Sequence, residues 1–450
     1  MKKKYKSLIF VVLTAFLVPI LATRVSAFAG GDGSSGNPYQ ITNCLELQDM
    51  NTNLSANYVL VNDINCSDTV NWNSGEGFLP IGDSSLPFMG TFDGQDHTIS
   101  GLFIDRSSTV YVGLFGCAGL FGCAGDTAVI KNVGLLDVDI TGYVGYYFST
   151  NVGGLVGVNY GTITNSYATG SVTVGGDWWS CWSWVGGLVG DNYGTMTNSY
   201  ATGASSFGYV VGGLAGGNNG NITQCYATGS ASTYSYYVGG LVGANTGNIL
   251  QSYANGSVTG SSSYSIEGGL VGYNYGSGAI TNSYSTGSVI GSGGPAGGLV
   301  GYGSGAITNS YWDKETSGQL TSAGGTGKTT AEMKTQSTYE NWDFVNTWSI
   351  KEGVSYPYLQ WQIPYTIAGL QQVINTLPND VLSDTIKNSL ASKLDNALKS
   401  LDKGKDGAAI NVLNAFINQV EAQRGKKISE EAADMLIVYA NNIISKIRTG

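Results

Sequence analysis

The stretch Gly153-Gly-Leu-Val-Gly-Val-Asn-Tyr-Gly-Thr-Ile-Thr-Asn-Ser-Tyr-Ala-Thr-Gly-Ser-Val172 decides how this chain is read. Its opening box, Gly-Gly-Leu followed by Val or Ala and then Gly, returns at Gly186, Gly212, Gly239, Gly268 and Gly297, at spacings of 33, 26, 27, 29 and 29 residues. A period in that range marks stacked copies of one supersecondary unit, each burying its apolar face only against its neighbours. Short β-branched pieces separated by Gly and Asn predict strands and tight turns, with no room for a helix. One repeat is long enough for three short strands and three turns, which make one rung of a parallel β-helix. At the usual strand spacing of about 4.8 Å, six rungs extend roughly 29 Å. Function is then expected on the long surfaces of the solenoid rather than in one pocket.

Within a rung, Leu155, Val156, Ile163, Ala168 and Val172 are the predicted interior, with Ile222, Ile249, Ile280 and Ile307 stacking in the Ile163 column. Ile163 and Ala168 cannot both face inward along one unbroken strand, so a corner is predicted near Asn165, turning Tyr167 outward. Asn159, Asn192, Asn218, Asn245 and Asn274 recur at one offset and predict a turn ladder whose amides bond along the stack. These repeats resemble the GLUG motif of bacterial surface and secreted proteins, which include some immunoglobulin A-specific zinc peptidases and large adhesin-like chains. The resemblance covers about residues 113–311 and implies a right-handed parallel β-helix. It does not imply peptidase activity, because those enzymes carry a His-Glu-x-x-His domain and this chain has one histidine, His97.

The flanks read differently. Residues 1–27 combine Lys2, Lys3, Lys4 and Lys6 with an apolar run from Leu8 to Leu21 and small residues near Ala27, the pattern of a secretory signal peptide. Its removal leaves 16 basic against 31 acidic residues and no transmembrane segment, so an extracellular or cell-surface location is expected. The acidic balance argues against nucleic acid, whose phosphates require clustered Lys and Arg. Residues 30–112 resemble the leading coils and cap of such stacks, and 312–361 the closing segment. From Ile367 to 450 the composition turns helical. Ile386, Leu390, Leu394, Leu398 and Leu401 precede Gly404, Val412 to Val420 precede Gly425, and Met435 to Ile447 follow Ser429. That small helical bundle resembles the FIMAH domain of secreted bacterial proteins. In an exported chain Cys44 with Cys66, and Cys117 with Cys123, are the disulfide candidates.

Between Gly153 and Tyr311 the charged residues are Asp177, Asp191 and Glu267 alone, too few for acid–base chemistry along the stack. If the chain is an enzyme on polysaccharides, Asp93, Asp96 and Asp105, near His97 and Arg106, are the candidate catalytic carboxylates. Phe92-Asp-Gly reads more simply as an Asx turn, and a lyase would want Lys or Arg that residues 153–311 lack. Asp137 and Asp139 lack the consecutive acidic loop of a calcium site. Thr326-Gly-Lys-Thr-Thr lacks the first glycine of a phosphate loop, which falls on Ser322, so neither nucleotide, cofactor nor metal is expected. Aromatics make the stronger case. Trp178, Trp179, Trp182 and Trp184 crowd the longest repeat, and Tyr209 and Tyr236 precede later boxes. Aligned across rungs, they form a strip that stacks on sugar rings or anchors a protein partner. The expected function is a non-catalytic, adhesin-like module for a glycan or surface partner, with a carbohydrate-active enzyme or a structural spacer as alternatives.

Overall fold

The computed structural model describes residues 28–119, 128–144, 149–176 and 182–449. The signal-like segment 1–27, Cys123, Trp178 and Trp179 lie outside the described residues. Strands of successive repeats pair in parallel, rung upon rung, into sheets of 7, 7, 10 and 15 strands. Each rung therefore shows four faces rather than the three expected. In the third rung an inbound strand, Val210–Gly212, is followed by an outbound strand, Ala215–Asn218, then by Asn221–Thr223 and by the pair Tyr226–Ala227 and Ala231–Thr233.

The glycine box makes the additional face. A Cβ on Gly212 would fall 1.9 Å from the Ala215 carbonyl, and one on Gly216 would fall 2.6 Å from the Val185 amide of the rung before. Only glycine lets the inbound and outbound backbones double back this closely. The Leu between them (Leu155, Leu188, Leu214, Leu241, Leu270, Leu299) is fully buried in every rung. On the next face Ile163, Met196, Ile222, Ile249, Ile280 and Ile307 stand in one register column, and all but Ile307 are buried. Burying such a side chain contributes about 1.5–3 kcal/mol, which is repeated rung by rung.

The corner falls where parity required it. Asn165, Asn198, Gln224, Gln251, Asn282 and Asn309 all adopt left-handed φ values between 45° and 52°. Beyond it, Tyr167, Tyr200, Tyr226, Tyr253 and Tyr284 turn outward and stack with ring centroids 4.7 to 5.0 Å apart. This ladder is not left bare. Trp361 packs against Tyr200 and Tyr226 and its Nε1 donates to the Gln224 carbonyl (3.0 Å), while Trp342 and Trp348 cover Tyr284. The closing segment is thus a lid on the tyrosine face. Cys225 occupies the serine column just after the corner, where its buried thiol donates to the Thr223 carbonyl and burial pushes it up to about 12.

At the other end, Tyr39–Ile41, Asn57–Leu60 and Thr91–Asp93 extend the isoleucine face one strand at a time. A short helix, Cys44–Asp49, begins on Asn43, whose side chain accepts from the Leu45 and Glu46 amides. Cys44 and Cys66 form a disulfide, whereas Cys117 is a buried free thiol. The helices Ile367–Thr376, Asp384–Leu401, Asp406–Gln423 and Glu430–Thr449 form the C-terminal bundle. Ile386, Leu390 and Leu394 enter its core, but the fourth inward position is Ala397, and Leu398 faces solvent. Tyr439 fastens the bundle to its own leading residues by donating to the Ile363 carbonyl (3.2 Å), and Gln372 Nε2 reaches the closing segment by donating to the Tyr358 hydroxyl (3.1 Å). Among the described residues no helix is long and apolar enough to cross a membrane.

Candidate binding face

The inbound and outbound strands converge at the glycine box, and the residues at their far ends reach the surface. On the inbound lip Trp182, 55 % exposed, stacks on Tyr209 with centroids 4.9 Å apart, and Tyr209 stacks on Tyr236 at 4.6 Å. The sheet register sets the Tyr209–Tyr236 pair one rung apart, while Trp182 reaches Tyr209 from the position before its register neighbour Ser183. Trp184 lies beside Trp182 at 6.2 Å, and one rung on from Tyr236 the exposed Tyr264 stands just before its register neighbour Ser265. Phe207 and Tyr234 make a second stacked pair at 5.2 Å on the same side. Trp182, Trp184, Tyr209 and Tyr236 are thus brought together. Unlike the Tyr167 ladder, nothing among the described residues covers this strip.

The outbound lip carries the polar groups. Tyr160 and Tyr193 stack at 4.9 Å, and the equivalent positions in the next rungs are Asn219, Thr246 and Tyr275. Asp191, only 4 % exposed, lies just inside this lip. Asn219 Nδ2 donates to its Oδ1 (3.0 Å), and Thr246 Oγ1 donates to Asn219 Oδ1 (2.6 Å). Burial pushes the Asp191 carboxyl up to about 6, against hydrogen bonds from Tyr193, Asn219 and the Asn192 N–H. Burial first, and the Asp191 charge second, hold the Tyr193 phenol well above its ordinary range. Sequence reading noted Asp191 as a rare charge but not as a member of the face, because its place depends on which side of the outbound strand it occupies.

Glu267 is the other charge of this region. It is fully buried in the inbound column Val152, Val185, Val211, Val238, Glu267, Ala296. Ser265 donates to its Oε1, its Oε2 has no partner, and burial raises its pKa. No charged residue among the described residues from 153 to 311 is therefore exposed.

The N-terminal carboxylates are placed apart. Asp93 ends a strand of the isoleucine face, whereas Asp105 lies in Phe103–Arg106, paired with Asp139–Gly142 on the tyrosine face. Asp93 Oδ1 accepts from the Gln95 N–H and the Asn132 amide (both 3.0 Å), and Lys131 Nζ lies 3.2 Å from Oδ2. Burial works to raise its pKa, yet these three partners together hold it below the usual carboxylate range. Asp96 sits in a left-handed turn at φ 64°. His97 faces Asp63 at 3.3 Å, and the Arg106 guanidinium is buried against Glu76 and the Gly77 and Phe78 carbonyls. The side chains around Asp93 hold a turn. Among the described residues no three His, Cys, Asp or Glu side chains converge on a metal-sized site.

Comparisons with known proteins agree with this architecture. The GLUG motif matches residues 148–173, 207–232, 234–259 and 268–290, and the FIMAH domain matches 367–445. The box at Gly186 falls outside those matches, yet Val189–Asn192 pairs in register between Val156–Asn159 and Ala215–Asn218. Halomucin of Haloquadratum walsbyi is 38% identical over 160 residues, which is 34% of this chain and 2% of halomucin. A Gly-rich membrane protein of Evansella cellulosilytica is 34% identical over 147 residues, 31% of this chain and 15% of that protein. The chain thus matches only a small part of the length of these curated relatives. A solved structure described as an immunoglobulin A1 protease from Bacteroides ovatus shares the fold, with a TM-score of 0.50 and 22% identity over 74% of this chain and 95% of that one. The chain is a β-helix that carries GLUG-motif repeats and ends in a FIMAH domain.

Proposed function

We propose that this chain is an extracellular or cell-surface, non-catalytic module that binds a glycan or a surface partner along the Trp182–Tyr209–Tyr236 strip. One observation carries the reading. The closing segment covers the tyrosine ladder, whereas Trp182 and Tyr236 of the strip stay exposed among the described residues. A ladder needed only to support the coil is served as well by being covered, and exposing tryptophan costs solubility unless a ligand uses it. Trp178 and Trp179, four and three residues before Trp182 in sequence, are proposed ligand-binding residues as well. A surface location is supported by the signal-like segment 1–27 and by relatives named halomucin and a Gly-rich membrane protein.

The test is a polysaccharide panel on the purified chain that scores retention and newly released sugar ends together. Retention without release is expected, and the double variant Trp182→Ala, Tyr209→Ala should lose at least tenfold in affinity with an unchanged melting temperature. Released ends would replace this reading with an enzymatic one. Retention undiminished in the double variant would remove the strip from it.

A further inference from the structure

Glu267 stands where the preceding inbound strands place Val238, Val211, Val185 and Val152, and it is fully buried. Two glycines make room for its carboxyl. A Cβ on Gly260 would fall 1.8 Å from Oε1, and one on Gly291 would fall 2.7 Å from Oε2. In the rung before, the register partner of Gly260 is the larger Thr233. Oε1 touches the Ser265 hydroxyl, and that hydroxyl also stands 2.6 Å from the Ser262 carbonyl. The same carbonyl accepts the Ser265 N–H at 3.1 Å and so closes the turn Ser262–Ser265. This turn carries the exposed Tyr264, one rung on from Tyr236.

A serine hydroxyl has one hydrogen, so Ser265 cannot donate to the Ser262 carbonyl and to Glu267 Oε1 together. Both contacts are made when Glu267 is the neutral acid, which donates to Ser265 Oγ while Ser265 donates onward to Ser262. Once the proton leaves to solvent, Oε1 claims the Ser265 hydrogen, and the Ser262 carbonyl loses one of its two donors. We propose that Glu267 is a proton-operated latch, which fixes the Ser262–Ser265 turn and Tyr264 as the acid and loosens them as the carboxylate. The surroundings favour the acid. Oε2 is buried without a partner, which costs a neutral carbonyl oxygen far less than an anionic one. Residues 153–311 contain no Lys, Arg or His to serve as a counter-ion. Asp191 lies three rungs away, about 14 Å at the ordinary strand spacing. The strands packed on Glu267 bring only the phenols of Tyr237, Tyr273 and Tyr302, and the turn brings Tyr264. Tyr237 pairs with Ile266 and so leaves the sheet on the side opposite Glu267. Burial raises the carboxyl above the ordinary glutamate range, so the latch holds at low pH and opens as pH rises through the raised value.

The decisive variant is Glu267→Gln, because a carboxamide keeps a donor toward Ser265 at every pH. Hydrogen–deuterium exchange of the Tyr264 and Ser265 amides, corrected for intrinsic rate, would be followed on the full chain from pH 4 to pH 9. Wild type should match the variant at the acid end and then lose about tenfold in protection over one titration step, the effect of one net hydrogen bond. Glu267→Gln should stay level. Ser265→Ala, which removes the shared hydroxyl, should be unprotected throughout and show no step. Asp191 is present in all three chains, so its own titration cancels in the comparison. A wild-type turn that stays level, or a step that survives in either variant, overturns the latch. Should Glu267→Gln fail to fold, wild type and Ser265→Ala decide alone. Protection restored at pH 9 by sodium or calcium chloride would put a bound cation in place of the proton and overturn it as well.

Discussion

Asn218→Ala is expected to destabilise the stack by about 4 kcal/mol. In the native protein Asn192 Nδ2 donates to Asn218 Oδ1, and Asn218 Nδ2 donates to Asn245 Oδ1, each at 2.8 Å and each buried. The Asn159–Asn192 and Asn245–Asn274 bonds have the same length, so five asparagines form one continuous ladder inside the solenoid. Truncating its middle member leaves a donor below and an acceptor above without their partners in a site water does not reach. Each orphaned group costs roughly 1–3 kcal/mol, and the two together account for the expected loss. Asn221→Ala is the matched control. Asn248 Nδ2 donates to Asn221 Oδ1 at 2.9 Å across the same two rungs, but in solvent, so its loss should cost under about 0.5 kcal/mol. Urea unfolding of the two variants measures the difference. Equal midpoints would mean that the buried ladder contributes no more than a surface amide pair.

The second large effect is electrostatic and depends on pH. The Asp191 carboxyl, at about 6 in the folded chain against 3.8 when exposed, binds its proton more tightly in the native state than in the unfolded one. Between those values the folded protein holds more protons, so stability is highest below pH 3.8 and declines as pH rises through about 6. A shift of that size corresponds to about 3 kcal/mol at neutral pH. The groups around it, Tyr111, Tyr160, Tyr193 and Cys117, are all pushed upward by burial and remain neutral across this window, so none supplies a compensating charge. Asp191→Asn retains an acceptor for Asn219 without the charge. The variant should match wild type near pH 4 and exceed it by up to about 3 kcal/mol near pH 8. A wild-type midpoint that stays level from pH 4 to pH 8, relative to the variant, would show that Asp191 is solvated after all.

Much of the solenoid was legible because a repeat states its own constraints several times. The box spacing gave the rung, the Ile163–Ala168 parity conflict required the corner found at Asn165, and the recurring asparagine gave the ladder. The count of faces was not legible, since Gly-Gly-Leu reads as a flexible join until the carbonyl beside each missing Cβ is seen. Nor was the difference between the two aromatic ladders. Tyr226 is covered by Trp361, whose Nε1 bonds the Gln224 carbonyl 137 residues away in sequence, and no local pattern carries that contact. Placement in space was not legible at the N-terminal carboxylates. Asp93 and Asp105 are close along the chain, but the left-handed turn at Gln95 and Asp96 and another at Gly101 send them to different sheets. Trp182, Tyr209 and Tyr236 stood out by position alone, whereas the place of Asp191 beside them required knowing that Asp191 and Gly217 are neighbours across rungs.

The asparagine ladder also has a direction. Every amide hands its hydrogen toward the C-terminal rung, from Asn159 through to Asn274, so the side-chain dipoles add along the axis rather than cancel. The row begins above Ala118 and stops where Gly303 stands opposite Asn274, whose Nδ2 turns back to the Gly278 carbonyl at 3.4 Å. The two termini of this row are chemically unlike, and two solenoids set head to head would present matching groups that cannot bond. Extension by duplicated repeats therefore has a single permitted polarity, and the length of the dipole row is fixed by the two residues, one at each limit, that are not asparagine.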